Sequence, residues 1–245
     1  MLPQGVFAVA VTTVLFPTLA RLAARNDTPG LRRALDGGLR QIAFLLVPAG
    51  LLSIVLAEPI VRLVYQRGEF TSEDTVIVAQ CLQAFSIGLV FNGWLLILNR
   101  SFYAVQTNWV PTGIALGAVA LNAAFDTVFY RLGIWGIPLA TSAVNVIAAT
   151  VLLVMMRRRI GLEHVRRTLG VVARVAVAGA VAAGLAYAAW YGVDRALGDG
   201  LLAQVLSLGA AFAVGGLAYV ALARALGLRE LEALLLLRTR RDDPS

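Results

Sequence analysis

Lysine is absent from this 245-residue chain, and cysteine and histidine occur once each, as Cys81 and His164. One cysteine excludes an internal disulfide, and one cysteine with one histidine is too few for a Cys/His metal cluster. The sequence also holds no phosphate-binding Walker loop, no nucleophile elbow and no pair of carboxylates at catalytic spacing. We therefore predict a protein that is not an enzyme and that carries no metal and no cofactor.

Charge is scarce as well, and long apolar runs take its place. Charged residues make up 14% of the chain, hydrophobic residues make up 59%, and the mean hydropathy is +0.80. Apolar runs of roughly 18–28 residues can cross a hydrocarbon core of about 30 Å as α-helices. Residues 42–56 show no alternation of polar and apolar positions, which argues against a transmembrane β-barrel. The prediction is an all-α polytopic membrane protein with about seven transmembrane helices, at residues 2–20, 31–56, 71–99, 109–130, 137–156, 171–190 and 201–222.

The 21 arginines are distributed unevenly between alternate gaps of this pattern. Four of them, Arg62, Arg67, Arg131 and Arg195, fall on one side, and the other 17 fall on the opposite side. By the positive-inside rule the arginine-rich side is cytoplasmic, which places the C-terminus inside and residue 1 outside. The net charge of +7 reflects this topology and not nucleic-acid binding, because the arginines lie in short loops. An outside start also indicates that an odd number of earlier spans is missing and that the chain is a fragment.

Local signals mark the ends and the middle of several spans. Thr71 and Asp74 have the spacing of a capping box, and they open a helix predicted to run without a break for about 28 residues. The preceding residues 58–70 are too polar to span the membrane and are predicted as a short interfacial turn. Pro48 should kink the second span, because it removes one backbone hydrogen bond. Residues 228–240 carry a leucine face and are predicted as an amphipathic helix on the membrane surface.

Several short motifs follow one another in the order and at the intervals of a known family. They are Leu2-Pro3-Gln4-Gly5-Val6 with Val14-Leu15-Phe16-Pro17-Thr18-Leu19, then Arg67-Gly68-Glu69-Phe70-Thr71 with Asp74-Thr75, then Phe102-Tyr103-Ala104 with Thr107 and Pro111-Thr112, and Leu121-Asn122. Together they resemble the MurJ/MviN lipid II flippases of the MOP superfamily, over most of residues 2–160. In the last two spans the resemblance lies in their presence and position.

The resemblance implies a fold, a location and partners. The family has fourteen helices with both termini in the cytoplasm, so the chain resembles helices eight to fourteen, the second half of a MOP-type transporter. Residues 1–160 would then form a partial C-terminal lobe of about five transmembrane helices, residues 161–225 the final helix pair, and residues 226–245 a cytoplasmic amphipathic tail. The implied location is the bacterial inner membrane. The implied partners are lipid II or a similar polyprenyl-pyrophosphate glycan, membrane lipids and the missing N-terminal half, with no nucleic acid.

The chain also departs from the family pattern. Most of the arginines that the family uses in its cationic cavity belong to the N-terminal lobe, which is absent here. The acidic residue expected between Gln106 and Pro111 is replaced, because Thr107-Asn108-Trp109 stands there. The resemblance therefore carries over a scaffold and not the main substrate contacts.

Six polar side chains within or beside the predicted spans are candidates for lining a substrate cavity: Asp126, Asn122, Asn99, Arg100, Asn92 and Asn145. Asp126 is the most specific, because an ionisable group in a membrane helix usually serves a function. The competing explanations are an interfacial position or an ion pair with Arg131 for Asp126, hydrogen bonds between helices for the asparagines, and a snorkelling anchor for Arg100. The candidate bending points are Pro17, Pro48, Gly133 and Gly136, and Gly113 with Gly117 forms a GxxxG pattern that permits close helix contact.

The function implied by the resemblance is transport of lipid II across the inner membrane, by alternating access of two lobes around a midplane site. An ion gradient or the membrane potential is the expected driving force. Two alternatives stay open. One is a related exporter of another polyprenyl-linked glycan or a MATE-type drug/cation antiporter, although antiport predicts an acid pair and only Asp126 is available. The other is a non-transporting membrane scaffold or a decayed gene product. We expect residues 1–245 to be inactive alone, because half of the cavity wall is missing.

Overall fold

The computed structural model describes residues 4–66, 70–161, 165–198, 200–228 and 230. The regular elements of these residues are helices: a π-helical turn at Gln4–Ala8, α1 (Val9–Ala24), α2 (Thr28–Val55), α3 (Ala57–Tyr65), α4 (Ser72–Ile87), α5 (Leu89–Ala104), α6 (Trp109–Phe129), a 3-10 turn at Tyr130–Leu132, α7 (Gly136–Ile160), α8 (Val165–Leu197) and α9 (Leu201–Ala225). Within the described part of the chain, six helices are long and apolar enough to cross a membrane, or seven segments if the bent pair α4–α5 is one span. The predicted all-α polytopic fold with about seven spans is confirmed.

Side-chain caps begin two of these helices. The Asp27 carboxylate accepts a hydrogen bond from the Gly30 N–H at 2.9 Å at the start of α2. At the start of α4, the Thr71 hydroxyl accepts from the Asp74 N–H at 3.3 Å, and the Thr71 N–H donates to Asp74 Oδ2 at 3.0 Å. These bonds satisfy N–H groups that have no partner within the helix. The capping box predicted from the sequence is confirmed.

The single helix predicted from residue 71 to about residue 99 is instead two helices, α4 and α5, bent by 42°. The break lies at Gly88, whose N–H bonds to the Phe85 carbonyl. A Cβ at Gly88 would lie 2.7–2.9 Å from atoms of Ser142 in α7, so glycine permits the close approach of α7 here. The Ser142 hydroxyl donates at 2.6 Å to the Ala84 carbonyl, whose donor in a continuous helix would be the Gly88 N–H. The prediction failed because the stabilising contact comes from a distant segment.

The stretch predicted as an interfacial turn, residues 58–70, contains most of the nine-residue helix α3, which ends at Tyr65. α3 follows α2 with only Leu56 between them, and the Leu56 carbonyl accepts from the Ile60 N–H at 3.0 Å. The α3 residue Val61 packs with Ala79 of α4, which gives the short helix an apolar contact that a turn would lack. Several features of the sequence analysis lie outside the described residues: positions 2–3 and 67–69 of the family motifs, His164, Arg229 and the tail beyond residue 230.

The main core surrounds α2. It joins Leu35 and Ile42 of α2 to Leu19 of α1, Ile97 of α5 and Met156 of α7, all nearly inaccessible to solvent. In addition, the Trp94 indole N–H of α5 donates to the Leu39 carbonyl of α2 at 3.0 Å.

The final helix pair, α8 and α9, packs along another side of α2. One cluster joins Phe44 of α2 to Val175 of α8 and Tyr219 of α9, and a second joins Leu56 to Ala186 and Leu208. α6 differs from all of these helices, because it packs chiefly against α7 and Pro111 is its one buried residue.

Candidate functional site

Asn122 and Asp126 form a polar pair one turn apart on α6. With its amide oriented to match its neighbours, Asn122 donates to Asp126 Oδ2 at 2.9 Å and to Oδ1 at 3.3 Å. Both side chains are partly exposed in this chain. Among the described residues no ion pair joins Asp126 to Arg131, so that explanation of the carboxylate does not hold. The pair is the most polar feature of a span that is otherwise apolar.

The other four cavity candidates lie on α5 and α7. Asn92, Asn99 and Arg100 are partly buried on α5, and Asn145 is partly buried on α7. The Arg100 guanidinium lies over the Phe16 ring of α1, 5.8 Å from its centroid, which is a cation–π contact between the two helices. The structure thus distributes the six candidates over three helices. Their role in lining a substrate cavity stays a prediction.

A cavity of about 640 Å³ lies between the α1–α2 turn, the α5–α6 connection and the end of α7. Its wall includes Asn26, Asp27, Tyr103, Gln106 and Arg159. Asn26 and Gln106 both adopt left-handed backbone conformations, with φ of 52° and 55°, and each ends a helix there. In the predicted topology this cavity opens on the cytoplasmic side, and it is lined by none of the six candidates.

Smaller cavities lie against α7. One, of about 270 Å³, is an apolar groove in which Gly113 and Gly117 of α6 face Val144 of α7. A Cβ on either glycine would meet no atom within 4 Å, so within the described chain the GxxxG pattern makes no close helix contact. The other, of about 300 Å³, lies between α4 and α7 and is lined by Gln80 and Trp135 among others.

The four candidate bending points occupy different environments. Pro17 is exposed in α1 and Pro48 is buried in α2, and each helix continues past its proline. Gly133 has a φ of 103°, a conformation that other residues rarely adopt. A Cβ at Gly136 would collide with the Phe129 carbonyl, so Gly136 is required for packing at the start of α7. Bending at these positions stays a prediction.

Polar contacts that the sequence analysis missed join the final helix pair, and Glu230 beyond it, to α2 and α3. The Tyr219 hydroxyl of α9 donates to the Phe44 carbonyl of α2 at 2.7 Å. Two ion pairs add to this contact: Arg62 Nη1 with Asp194 Oδ2 at 3.7 Å, and Arg40 Nε with Glu230 Oε1 at 3.9 Å. A tyrosine inside an apolar span is a visible signal, but its partner lies 175 positions away in the sequence.

A buried carboxylate in α2 was also missed. Asp36 is 7% exposed, and its backbone carbonyl accepts from Arg40 Nε at 3.2 Å. The sequence placed Asp36 among the arginines at the start of the span, where an acidic residue is unremarkable. Only the packing of the neighbouring helices shows that it is buried.

Comparison with known proteins gives a consistent result. The family model described as "Lipid II flippase MurJ" matches residues 1–207. A probable lipid II flippase MurJ of Vibrio cholerae is 30% identical over 232 residues, which cover 93% of this chain and 43% of that relative. The lipid II flippase MurJ of Thermosipho africanus is 35% identical over 155 residues, which cover 62% of this chain and 31% of that relative.

A solved structure agrees with these relatives. It is described as lipid II flippase MurJ in an inward closed conformation, and it matches 94% of this chain with a TM-score of 0.74 and 26% identity. This chain covers 45% of that structure's chain. The chain therefore spans less than half the length of the relatives reported above.

Proposed function

The chain belongs to the MurJ family of lipid II flippases, and from this we propose that it forms the C-terminal portion of a transporter that moves lipid II across the bacterial inner membrane. The family match over residues 1–207 carries the proposal, because it extends from α1 through α8 into the start of α9. The family consists of transporters and not of catalysts. We propose alternating access of two lobes as the mechanism, with an ion gradient or the membrane potential as the driving force.

We further propose that residues 1–160 form a partial lobe, residues 161–225 the final helix pair and residues 226–245 a cytoplasmic tail. One apolar core is shared by α1, α2, α5 and the end of α7, while separate clusters attach α8 and α9, which supports the division. The distribution of arginines supports a cytoplasmic C-terminus. Arg157, Arg158 and Arg159 at the end of α7 are all exposed, as cytoplasmic anchoring charges should be.

Within this proposal the Asn122–Asp126 pair is the polar group that α6 contributes to transport. An ionisable side chain within a membrane span almost always faces protein or a water-filled cavity and not lipid. In this chain Asp126 is only partly covered, and its polar partner lies on the same helix. We therefore propose that this side of α6 faces the portion of the transporter that the chain does not span.

The test is a translocation assay with the full-length transporter that carries this sequence. The protein is reconstituted into vesicles with labelled lipid II in one leaflet, and the fraction accessible from outside is followed under an imposed membrane potential. We expect the label to equilibrate between leaflets faster than in vesicles without protein. Residues 1–245 alone should give no acceleration, and should not rescue cells depleted of their flippase, because half of the cavity wall is missing.

Two outcomes of this assay would contradict the proposal. If lipid II stays on its original leaflet in vesicles that contain correctly inserted full-length protein, the chain does not belong to a working lipid II flippase. If another polyprenyl-linked glycan equilibrates while lipid II does not, the substrate is reassigned within the superfamily.

A further inference from the structure

Pro48 removes one backbone hydrogen bond from the middle of α2. In an α-helix the N–H of residue 48 would bond to the carbonyl of residue 44, but proline has no N–H and its ring presses against that carbonyl. The Phe44 carbonyl therefore lacks its helical donor. Phe44 is 3% exposed and Pro48 is buried, so water does not replace the donor within a membrane span.

Tyr219 of α9 supplies a donor at this place. Its hydroxyl donates to the Phe44 carbonyl oxygen at 2.7 Å, and the Tyr219 side chain is itself buried. The two aromatic rings pack together with 5.2 Å between their centroids, which holds the hydroxyl beside the carbonyl. One bond from the final helix pair thus replaces the backbone bond that Pro48 removes from α2.

A second contact places the helix pair against the proline itself. A Cβ at Gly179 of α8 would lie 3.4 Å from Pro48 Cα and 3.0 Å from Leu51 Cδ1, so the backbone of α8 passes directly over this turn of α2. α8 therefore packs on the proline while α9 bonds to the carbonyl one turn before it. Both helices of the pair therefore contact the turn of α2 that lacks a backbone hydrogen bond.

We propose that Tyr219 is a positioning residue that restrains bending of α2 at Pro48, so that the final helix pair controls how easily α2 bends there. With the bond made, α2 and the pair move as one body. With the bond broken, α2 bends more easily between residues 44 and 48. The restraint that the Tyr219–Phe44 hydrogen bond places on α2 does not depend on the proposed function. Any effect of this restraint on alternating access rests on that function.

Hydrogen exchange in four forms of the 245-residue chain tests the proposal: the unmodified chain, Tyr219→Phe, Pro48→Ala, and the two changes together. Each form is placed in lipid nanodiscs, and amide exchange in the peptide covering residues 44–52 is measured by mass spectrometry. Tyr219→Phe keeps the ring and removes only the donor, so exchange should become roughly two- to tenfold faster, the range that one hydrogen bond gives. Pro48→Ala restores the backbone donor, so adding Tyr219→Phe should then change exchange by less than about twofold.

Tyr187→Phe is the matched control. It also removes a tyrosine hydroxyl, but Tyr187 lies on α8 with 45% of its surface exposed. It should leave exchange in residues 44–52 unchanged. Equal exchange in Tyr219→Phe and the unmodified chain would overturn the proposal, as would an equal effect of Tyr219→Phe with and without Pro48. If Tyr219→Phe loses its helical circular dichroism, recovery in the double variant supports the proposal and failure to recover contradicts it. The readout is local, so failure of the translocation assay does not affect it.

Discussion

α2 and α6 are both apolar enough to cross a membrane, and they have opposite positions in the fold. In an apolar 18-residue segment of α2, 44% of the residues are buried, whereas in the corresponding segment of α6 the share is 0%. α2 contacts α1, α4, α5 and α8, and α6 packs chiefly against α7. Lipid solvates apolar side chains about as well as a protein interior does. Apolarity therefore determines which segments enter the membrane and does not determine which of them becomes the centre of the fold.

Glycines show the same contrast at the level of single residues. In α2, a Cβ at Gly38 would collide with Ile97 Cδ1 of α5 and would lie 2.7 Å from Leu15 Cδ1 of α1. In α6, a Cβ at Gly113 or Gly117 would meet open space. The glycine of α2 lets two neighbouring helices approach, while the glycines of α6 leave the groove between α6 and α7 open.

The first prediction compares Gly38→Leu with Gly117→Leu. Leucine at residue 38 overpacks a closed core, and we expect it to lower the free energy of unfolding by about 1–3 kcal/mol. Leucine at residue 117 points into open space and should change stability by less than about 0.5 kcal/mol. Unfolding by denaturant in detergent micelles, followed by circular dichroism, measures both. Equal losses of stability in the two variants would show that α6 is covered in the same way as α2.

Much of this fold could be predicted from the sequence, because length and apolarity act within each segment. The spans, the capping box at Thr71 and the class of the fold all follow from residues close together in the chain. The break at Gly88 could not be predicted, since Gly88 opens the helix only where Ser142, 58 residues from Ala84, replaces the lost donor. Contacts between distant segments decide where an apolar helix is continuous.

The second prediction compares Trp94→Phe with Trp109→Phe. Trp94 is 8% exposed and its indole N–H bonds to the Leu39 carbonyl of α2, whereas Trp109 at the start of α6 is 87% exposed. Removing the buried donor should cost about 1 kcal/mol of stability. The change at Trp109 should cost less than about 0.5 kcal/mol. Thermal unfolding followed by circular dichroism measures both, and a larger shift for Trp109→Phe would contradict the assignment of α2 and α5 to the core.

The candidate site was less predictable than the fold. The sequence identified Asn122 and Asp126 as separate candidates and offered Arg131 as the partner of Asp126. The pair that they form was not predicted, although residues four apart share a helix face. The partners of Tyr219 and Arg40 could not be predicted, since they depend on how α9 and the residues after it lie against α2. Pro48 indicated that a carbonyl would be freed, but nothing near it in the sequence indicated which side chain would bind it.

The third prediction concerns Asp126→Asn in α6, with Asp74→Asn as its matched control. Asp126 is held by one contact within its own helix, so its replacement should change stability by only about 0.2–0.5 kcal/mol. Asp74 belongs to the capping box of α4, and its replacement should cost somewhat more, about 0.5–1 kcal/mol. In the translocation assay with the full-length transporter, however, the order should reverse. Asp126→Asn should lower the rate at least about tenfold, because an ionisable group in a span is retained for function.

The reversal distinguishes two explanations of the low burial of α6. If α6 merely faces lipid, Asp126→Asn improves its solvation and leaves transport unchanged, and the contrast with α2 is then only a contrast between centre and periphery. If transport falls while stability is preserved, the side of α6 that carries Asp126 is exposed in this chain because its partner lies in the part of the transporter that the chain does not span. Asp74→Asn, normalised for the amount of folded protein, should transport at the unmodified rate in either case.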